Sequence, residues 1–255
     1  MNSKNNFFDD NSFVREVILN RNKIKDFSKY PYNIPAIKEL HEISLHPSIT
    51  FIVGENGAGK STLIEAIAVA YGFNAEGGSL NFNFSTRPTH SELYKYIILR
   101  KGIKKARDGY FLRAESFYNL ATNIDEMDEV PSFGGPLKNS YGGMSLHEMS
   151  HGESFMALLM NRLGGNGFYI FDEPEAAMSP FRQMMMLARI HELVKKDSQF
   201  IISTHSPILM AYPDSIIYKI DDNGIYKVNY EETEHYMITK QFMNNREVML
   251  NELLK

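Results

Sequence analysis

The sequence contains no cysteine, no long apolar run and no excess of positive charge. Without cysteine there is no disulfide framework, no thiol nucleophile and no cysteine-ligated metal site, which favours a cytoplasmic protein. No apolar run approaches the roughly 18 to 20 residues of a membrane span, and the N-terminus MNSKNNFFDD lacks a signal-peptide core. We therefore expect no direct membrane insertion, and the formal net charge of −4 argues against a protein that coats nucleic acid.

What is present is an ordinary globular composition with one glycine-rich stretch at residues 51–62, FIVGENGAGKST. It fits the pattern G-x-x-x-x-G-K-[ST] between an apolar strand (49–53) and a helix (63–71) that ends at Gly72. Such a loop directs backbone N–H groups at phosphate oxygens. The lysine would reach the β- and γ-phosphates, and the serine hydroxyl would ligate Mg²⁺. The predicted nucleotide contacts are Gly54, Glu55, Asn56, Gly57, Ala58, Gly59, Lys60, Ser61 and Thr62.

Two further apolar strands end in polar residues. Residues 168–171 run into Asp172 and Glu173, and residues 199–203 run into Thr204 and His205. Because open α/β sheets bind ligands at the carboxyl ends of their strands, we expect these residues to meet the phosphate loop. Asp172 would contact Mg²⁺, Glu173 would orient or deprotonate the attacking water, and His205 would donate a hydrogen bond to the γ-phosphate. For His205 alone, a capping or packed histidine is the competing interpretation.

These motifs resemble those of the ABC-class P-loop ATPases. Residues 51–62 match Walker A, residues 168–173 (FYIFDE) match Walker B with its catalytic glutamate, and His205 matches the switch histidine. The resemblance implies an α/β P-loop NTPase fold of ABC-ATPase type, with a mixed central sheet, a β subdomain and a helical lobe. It also implies ATP hydrolysis with Mg²⁺ as cofactor and a homodimer that sandwiches ATP.

The counterpart of the family's signature motif LSGGQ is residues 149–153, MSHGE. By resemblance, Ser150 and Gly152 contact the nucleotide held by the opposite subunit. His151 and Glu153 depart from the usual glycine and glutamine, and residues 175–179 depart from the transporters' loop ending in Asp. The chain is therefore more similar to compact RecF/SMC-like, AAA-type bacterial ATPases without a coiled coil. No glutamine loop is visible, and Glu115 or Arg113 could substitute for it.

The remaining pattern predicts a single domain over residues 1–255, with a helical lobe at about 116–163 inserted in the P-loop core. Strands are expected at 13–19, 43–45, 82–84, 94–100 and 110–112, and a hairpin is expected over 216–228. Helices are expected at 153–163, from Pro180 to about residue 195, and at 232–254. Residues 122–145, which carry acids, glycines and prolines, are expected to form a loose connection.

Three features allow alternative interpretations. The basic turn at 101–109 could meet nucleic acid phosphates or be a solvated hairpin tip, the interpretation we prefer. Tyr30 or Tyr32 could stack on adenine, although a buried turn aromatic is preferred. Residues 147–151 (HEMSH) match a zinc protease motif, with Glu173 as a possible third ligand. A helix beginning near Ser150 would leave His147 outside it, so we favour the ATPase.

The sequence thus predicts an ATPase that dimerises around ATP-Mg²⁺ and drives a DNA-linked process, in repair or anti-phage defence, with a separate nuclease or effector protein as partner. Two alternatives stay open: the ATPase subunit of an ABC transporter, and a nucleotide switch for a protein partner.

Overall fold

A computed structural model describes residues 11–80, 91–129 and 136–255. The strands are β1 (Val14–Leu19), β2 (Glu42–Ser44), β3 (Ile49–Gly54), β4 (Gly78–Ser79), β5 (Ile97–Lys101), β6 (Asp108–Arg113), β7 (Gly167–Asp172), β8 (Gln199–Ser203), β9 (Ile216–Asp221) and β10 (Gly224–Val228). The helices are α1 (Pro35–Lys38), α2 (Lys60–Tyr71), α3 (Phe117–Glu129), α4 (His151–Ala157), α5 (Pro180–Val194), α6 (Pro207–Met210), α7 (Glu234–Asn244) and α8 (Arg246–Leu253). None of the described helices is long and apolar enough to cross a membrane.

The larger sheet has seven strands in the order β10-β9-β3-β8-β7-β6-β4. Its five inner strands are parallel, and β10 and β4 pair antiparallel at the two edges. This is the mixed α/β sheet that the sequence predicted. Since β3, β8 and β7 are neighbours, their carboxyl ends lie side by side at one edge.

Both faces of this sheet are covered, which explains the unbroken apolar runs of its inner strands. Along β7, Phe168 and Ile170 belong to a core cluster that includes α2 residues. Tyr169 and Phe171 belong to the opposite cluster, which includes residues of α3, α4 and α5. Successive side chains of a strand point to opposite faces, so one strand serves both cores.

A smaller sheet of three strands, β2-β1-β5, forms the β subdomain. The buried Gln199 of β8 joins it to the larger sheet: its amide oxygen accepts from the backbone N–H groups of Phe13 and Val14, each at 2.9 Å. The amide nitrogen donates to Val14 O at 2.7 Å and His46 O at 3.0 Å.

The structure corrects the prediction for the basic turn. Its flanking strands do not form a hairpin, because β5 pairs with β1 in the small sheet whereas β6 pairs with β7 in the large one. β6 is almost wholly buried, so it belongs inside a covered sheet rather than at a solvated tip. The predicted strand at 94–100 begins later, because Glu92–Tyr96 forms a 3₁₀ helix.

The predicted loose connection at 122–145 is also wrong over its first part, which belongs to α3. Phe117, Leu120, Ala121 and Ile124 recur at helical spacing and are all buried, so the acidic residues between them form the solvated face. The predicted terminal helix is two helices, α7 and α8, separated at Asn245 with φ −131° and ψ 35°. The strand predicted at 82–84 lies outside the described residues. The helix predicted at 153–163 corresponds to α4 and the π-helical segment Leu158–Arg162 that continues it. The other predicted strands and helices agree with the structure to within a few residues at their ends.

Candidate functional site

The phosphate-type loop connects β3 to α2 in a conformation that requires glycine. Gly54 has φ +152°, and a Cβ built on it would lie 2.3 Å from Ile220 O on the neighbouring strand β9. Gly59, at φ +100°, stands directly before the first turn of α2. The loop therefore ends at a helix N-terminus, whose free N–H groups and partial positive charge suit a phosphate.

Lys60 lies almost fully buried beneath this loop, with 4% of its surface exposed. Its ammonium donates to Gly54 O and Glu55 O, both at 3.0 Å, and lies 3.8 Å from Glu173 Oε1. Burial lowers the pKa of Lys60, and the nearby carboxylates of Glu173 and Asp172 act in the opposite direction.

The pairing of β7 with its neighbours β6 and β8 positions Asp172. Asp172 pairs with Ser203 of β8 and Arg113 of β6. Its Oδ1 accepts from Ser203 Oγ and, at 3.2 Å, from Ser61 Oγ, while Arg113 Nε lies 3.8 Å from Oδ2. Burial raises the pKa of Asp172, opposed by Ser203 and Arg113. A hydroxyl and a carboxylate this close are the oxygen donors that Mg²⁺ accepts beside phosphates and water.

Glu173 and His205 face each other at the ends of β7 and β8. Glu173 is in the left-handed region with φ 51° and ψ 52°, and its N–H donates to Ser203 O at 3.1 Å. Residues other than glycine are seldom found there, and such strain is concentrated at functional sites. His205 Nε2 lies 3.3 Å from Glu173 Oε1 but is not aligned for a hydrogen bond. This buried nitrogen therefore has no hydrogen-bond partner among the described residues.

A cleft of about 750 Å³ is lined by Lys60, Ser61 and Glu173, whereas Asp172 and His205 are not among its lining residues. Its lining residues are Tyr30, Asn33, Ile34, Pro35, Asn56, Gly57, Gly59, Lys60, Ser61, Thr62, Glu115 and Glu173. The preference for a buried aromatic is wrong for Tyr30, which is 66% exposed at the cleft. Tyr32 is half-buried and packs against Tyr96, with ring centroids 5.4 Å apart. The cleft can accommodate a nucleotide, with polar groups at its phosphate end and an aromatic ring on its wall.

The two candidates for the glutamine loop are both near the site. Glu115 lines the cleft, and Arg113 donates to Glu65 Oε2 at 2.7 Å and Glu115 Oε2 at 3.2 Å. Arg113 is therefore occupied by carboxylates, which leaves Glu115 as the side chain that faces the cleft.

Ser150 and Gly152 do not line this cleft. Ser150 precedes α4, and Glu153 Oε2 accepts from its N–H at 3.0 Å and from its hydroxyl at 2.6 Å. Arg182 of α5 donates to Glu153 Oε1 at 3.2 Å. Ser150 is exposed, so a second molecule could contact it.

The zinc motif is not on one helix. His147 lies in a 3₁₀ turn (Leu146–Glu148) ahead of α4, and its Nε2 lies 3.0 Å from Thr122 Oγ1. Over residues 11–80, 91–129 and 136–255, no group of three or more His, Cys, Asp or Glu side chains is arranged to hold a metal ion.

Sequence reasoning missed three residues of this site. Ser203 anchors Asp172, Glu175 Oε1 accepts from His205 N, and His235 Nε2 lies 2.8 Å from His205 Nδ1. Burial raises the pKa of Glu175, against the hydrogen bond from His205. Glu175 follows the Walker B acids closely enough to be suspected, whereas no local pattern marks His235.

Comparison with known proteins agrees with this geometry. A family model described as an AAA domain matches residues 23–117, and one described as an AAA ATPase domain matches residues 151–210. The "Chromosome partition protein Smc" of Methanocaldococcus jannaschii is 27% identical over 157 residues, which are 52% of this chain. The chain therefore has the sequence motifs and the fold of an ABC/SMC-like P-loop ATPase.

Within this family, resemblance extends to transporter subunits. The "Zinc import ATP-binding protein ZnuC" of Wolbachia pipientis wMel is 28% identical over 187 residues, covering 70% of both proteins. The "SMC head domain from Thermotoga maritima" has a TM-score of 0.45 at 18% identity and covers 85% of this chain and 99% of that chain. The chain spans only 13% of the length of its SMC relative from Methanocaldococcus jannaschii.

Proposed function

We propose that this ATPase binds ATP-Mg²⁺ in the cleft beside Lys60 and hydrolyses it to ADP and phosphate. One observation carries the proposal: Glu173 Oε1 lies 3.8 Å from Lys60 Nζ and 3.3 Å from His205 Nε2. A buried cation, a carboxylate and an unpartnered histidine nitrogen thus meet at the ends of three neighbouring strands, where a γ-phosphate would lie.

Each side chain has a role that its surroundings support. Lys60 stabilises charge on the transferred phosphoryl group, and Glu173 orients or deprotonates the attacking water. His205 donates from Nε2 to the γ-phosphate, which satisfies its buried nitrogen. Ser61 and Asp172 hold Mg²⁺, which neutralises charge on the phosphates when bound. Tyr30 stacks on the adenine ring at the wall of the cleft.

The active form is a homodimer around ATP. In each subunit Ser150 and Gly152 do not line the cleft of the same chain; Ser150 is exposed and Gly152 is buried. We place them against the nucleotide of the opposite subunit, so ATP closes the dimer and hydrolysis releases it.

We further propose that the cycle drives a DNA-linked process in repair or defence, with a separate nuclease or effector as partner. The basic turn between β5 and β6 supports this, since Lys101, Lys104, Lys105 and Arg107 are all exposed. Such a cluster suits phosphate contacts that are independent of sequence. The similarity to a chromosome partition protein also supports a DNA-linked process.

A transporter ATPase is the second candidate, because ZnuC is matched over 70% of its length. This ATPase would then act through a membrane partner, and stable copurification with a permease would favour that candidate. In the third candidate, a nucleotide switch, ATP binding alone would regulate a protein partner.

The test is steady-state ATP hydrolysis over a range of protein concentrations, with and without linear duplex DNA at low salt. Activity should rise more than linearly with protein concentration and should disappear in Glu173→Gln. DNA should stimulate it, and neutralising Lys101, Lys104 and Lys105 together should abolish the stimulation without changing the basal rate. A matched control neutralises Lys195 and Lys196 of the exposed turn after α5. Hydrolysis that ignores DNA would contradict the DNA-linked process and leave the ATPase intact.

A further inference from the structure

A second histidine contacts the proposed γ-phosphate residue from the C-terminal part of the structure. His235 Nε2 lies 2.8 Å from His205 Nδ1, and the two rings cross at 66° with centroids 4.8 Å apart. His235 is half-buried in the first turn of α7. The contact joins the end of β8 to a helix that contributes no residue to the cleft lining described above.

The surrounding chain holds this contact in place. Tyr230, just before α7, donates from its hydroxyl to Pro207 O at 2.9 Å, close to His205. Thr233, which is fully buried at the start of α7, donates from Oγ1 to Tyr230 O at 2.7 Å. The first bond ties the turn before α7 to the segment that follows His205, and the second fixes the start of α7 on that turn.

His205 Nδ1 and His235 Nε2 are close enough for a hydrogen bond, so one of the two rings must donate to the other. Which ring donates follows from the other side of the His205 ring. Nε2 of His205 faces a carboxylate oxygen at 3.3 Å, and a carboxylate only accepts. That proximity favours a proton on His205 Nε2. In a neutral ring His205 Nδ1 is then an acceptor, so His235 must donate from its Nε2.

We propose that His235 is a positioning residue: it donates from Nε2 to His205 Nδ1 and so keeps the proton of His205 on Nε2, facing the γ-phosphate. This inference rests on the proposed function of the site. Burial, helped by His205 and Lys60, lowers the pKa of His235, which favours the neutral ring that the contact needs. Without the donor, His205 could carry its proton on Nδ1 and present a lone pair to the phosphate, which is repulsive.

The experiment compares two substitutions at position 235 with a control elsewhere. His235→Phe keeps a ring but removes both nitrogens, whereas His235→Gln keeps an amide N–H that can donate to His205. His191 provides the control, because its Nδ1 lies 2.8 Å from Tyr212 Oη, outside the cleft lining. We expect His235→Phe to lower kcat about tenfold with an unchanged KM for ATP. His235→Gln should stay within about threefold, and His191→Phe should match the parent.

A second readout does not depend on turnover. In protein labelled with ¹⁵N at histidine, long-range ¹H–¹⁵N spectra report which ring nitrogen carries the proton, and His205→Gln assigns the His205 signals. The parent and His235→Gln should show His205 as the Nε2–H tautomer, and His235→Phe should show a mixture of tautomers.

Unchanged His205 signals and unchanged kcat in His235→Phe would overturn the inference, and so would a His235→Gln variant as slow as His235→Phe. A parent protein that does not hydrolyse ATP would instead overturn the proposed function, and with it the role that we assign to the contact between His205 and His235. In that case the spectra would still decide whether His235 sets the His205 tautomer.

Discussion

At the scale of single residues, the buried lysine is the most consequential charge. Lys60 Nζ donates hydrogen bonds to two backbone carbonyls at 3.0 Å, and both carbonyls belong to the loop that would hold the phosphates. A hydrogen bond to a charged group contributes about 1.5–3 kcal/mol. We expect Lys60→Ala to weaken ATP binding more than tenfold, measured by titration with a fluorescent ATP analogue. Lys195→Ala, at an exposed lysine after α5, is the control. Full affinity in Lys60→Ala would refute the phosphate-loop assignment.

Two glycines of the phosphate loop allow the stability cost of backbone strain to be measured separately from the cost of a steric clash. A Cβ on Gly57, at φ +82°, meets nothing within 4 Å, whereas one on Gly59, at φ +100°, lies 2.7 Å from Ile34 Cγ2. Gly57→Ala should cost about 1–2 kcal/mol of unfolding free energy from strain alone. Gly59→Ala should cost more, and Ile34→Ala in that background should recover part of the difference, measured by urea unfolding. Equal costs for both glycines would show that the Ile34 contact is absent.

The residues of the phosphate loop could be identified from the sequence because they lie close together along the chain. A turn that wraps phosphate needs Gly54, Gly59 and Lys60 within a few positions of one another. His235 could not be found that way, since it meets His205 from 30 residues away through an independent helix. Tyr30 could be singled out from the sequence, but its exposure at the cleft is seen only in the fold.

At the scale of elements, one buried amide links the two sheets through four hydrogen bonds. Gln199 is fully buried, and its four hydrogen bonds reach Phe13 N, Val14 N, Val14 O and His46 O. Gln199→Leu would leave these buried backbone groups without their partner, at about 1–3 kcal/mol for each group left unsatisfied. We expect a fall of at least about 3 kcal/mol in unfolding free energy, or roughly 6–12 °C in melting temperature.

Calorimetry on Gln199→Leu and on Gln241→Leu, a substitution on the exposed surface of α7, checks this expectation. A melting temperature equal to that of the Gln241→Leu control would mean that the amide does not connect the sheets.

Strands could be predicted where burial on both faces imposes an apolar sequence pattern. The pairing of strands could not be predicted where a strand's partner is distant in the sequence. The unbroken apolar runs of β3, β7 and β8 identified the core of the large sheet, because strands covered on both faces need them. The strands β5 and β6 looked like a hairpin because they are adjacent in the chain. Their separation into two sheets depends on partners, β1 and β7, that local sequence does not reveal.

At the scale of the whole molecule, we propose that each site is completed by a second subunit. Glu173→Gln would leave ATP bound but unhydrolysed, so the variant should remain a dimer with ATP-Mg²⁺ while the parent returns to monomer. Analytical ultracentrifugation measures this difference. A Glu173→Gln variant that stays monomeric at high concentration with ATP-Mg²⁺ would count against nucleotide-driven dimerisation.

Mixing two inactive variants tests whether each site is shared between subunits. Lys60→Ala disables the phosphate loop, and Ser150→Arg blocks the exposed signature surface with a bulky charge; each alone should be inactive. In an equimolar mixture about half of the dimers are mixed, and each mixed dimer has one site with an intact Lys60 and an intact Ser150. Hydrolysis should therefore recover to about a quarter of the parent rate. If a subunit used its own Ser150, every site in the mixture would still carry one defect, and no activity would return.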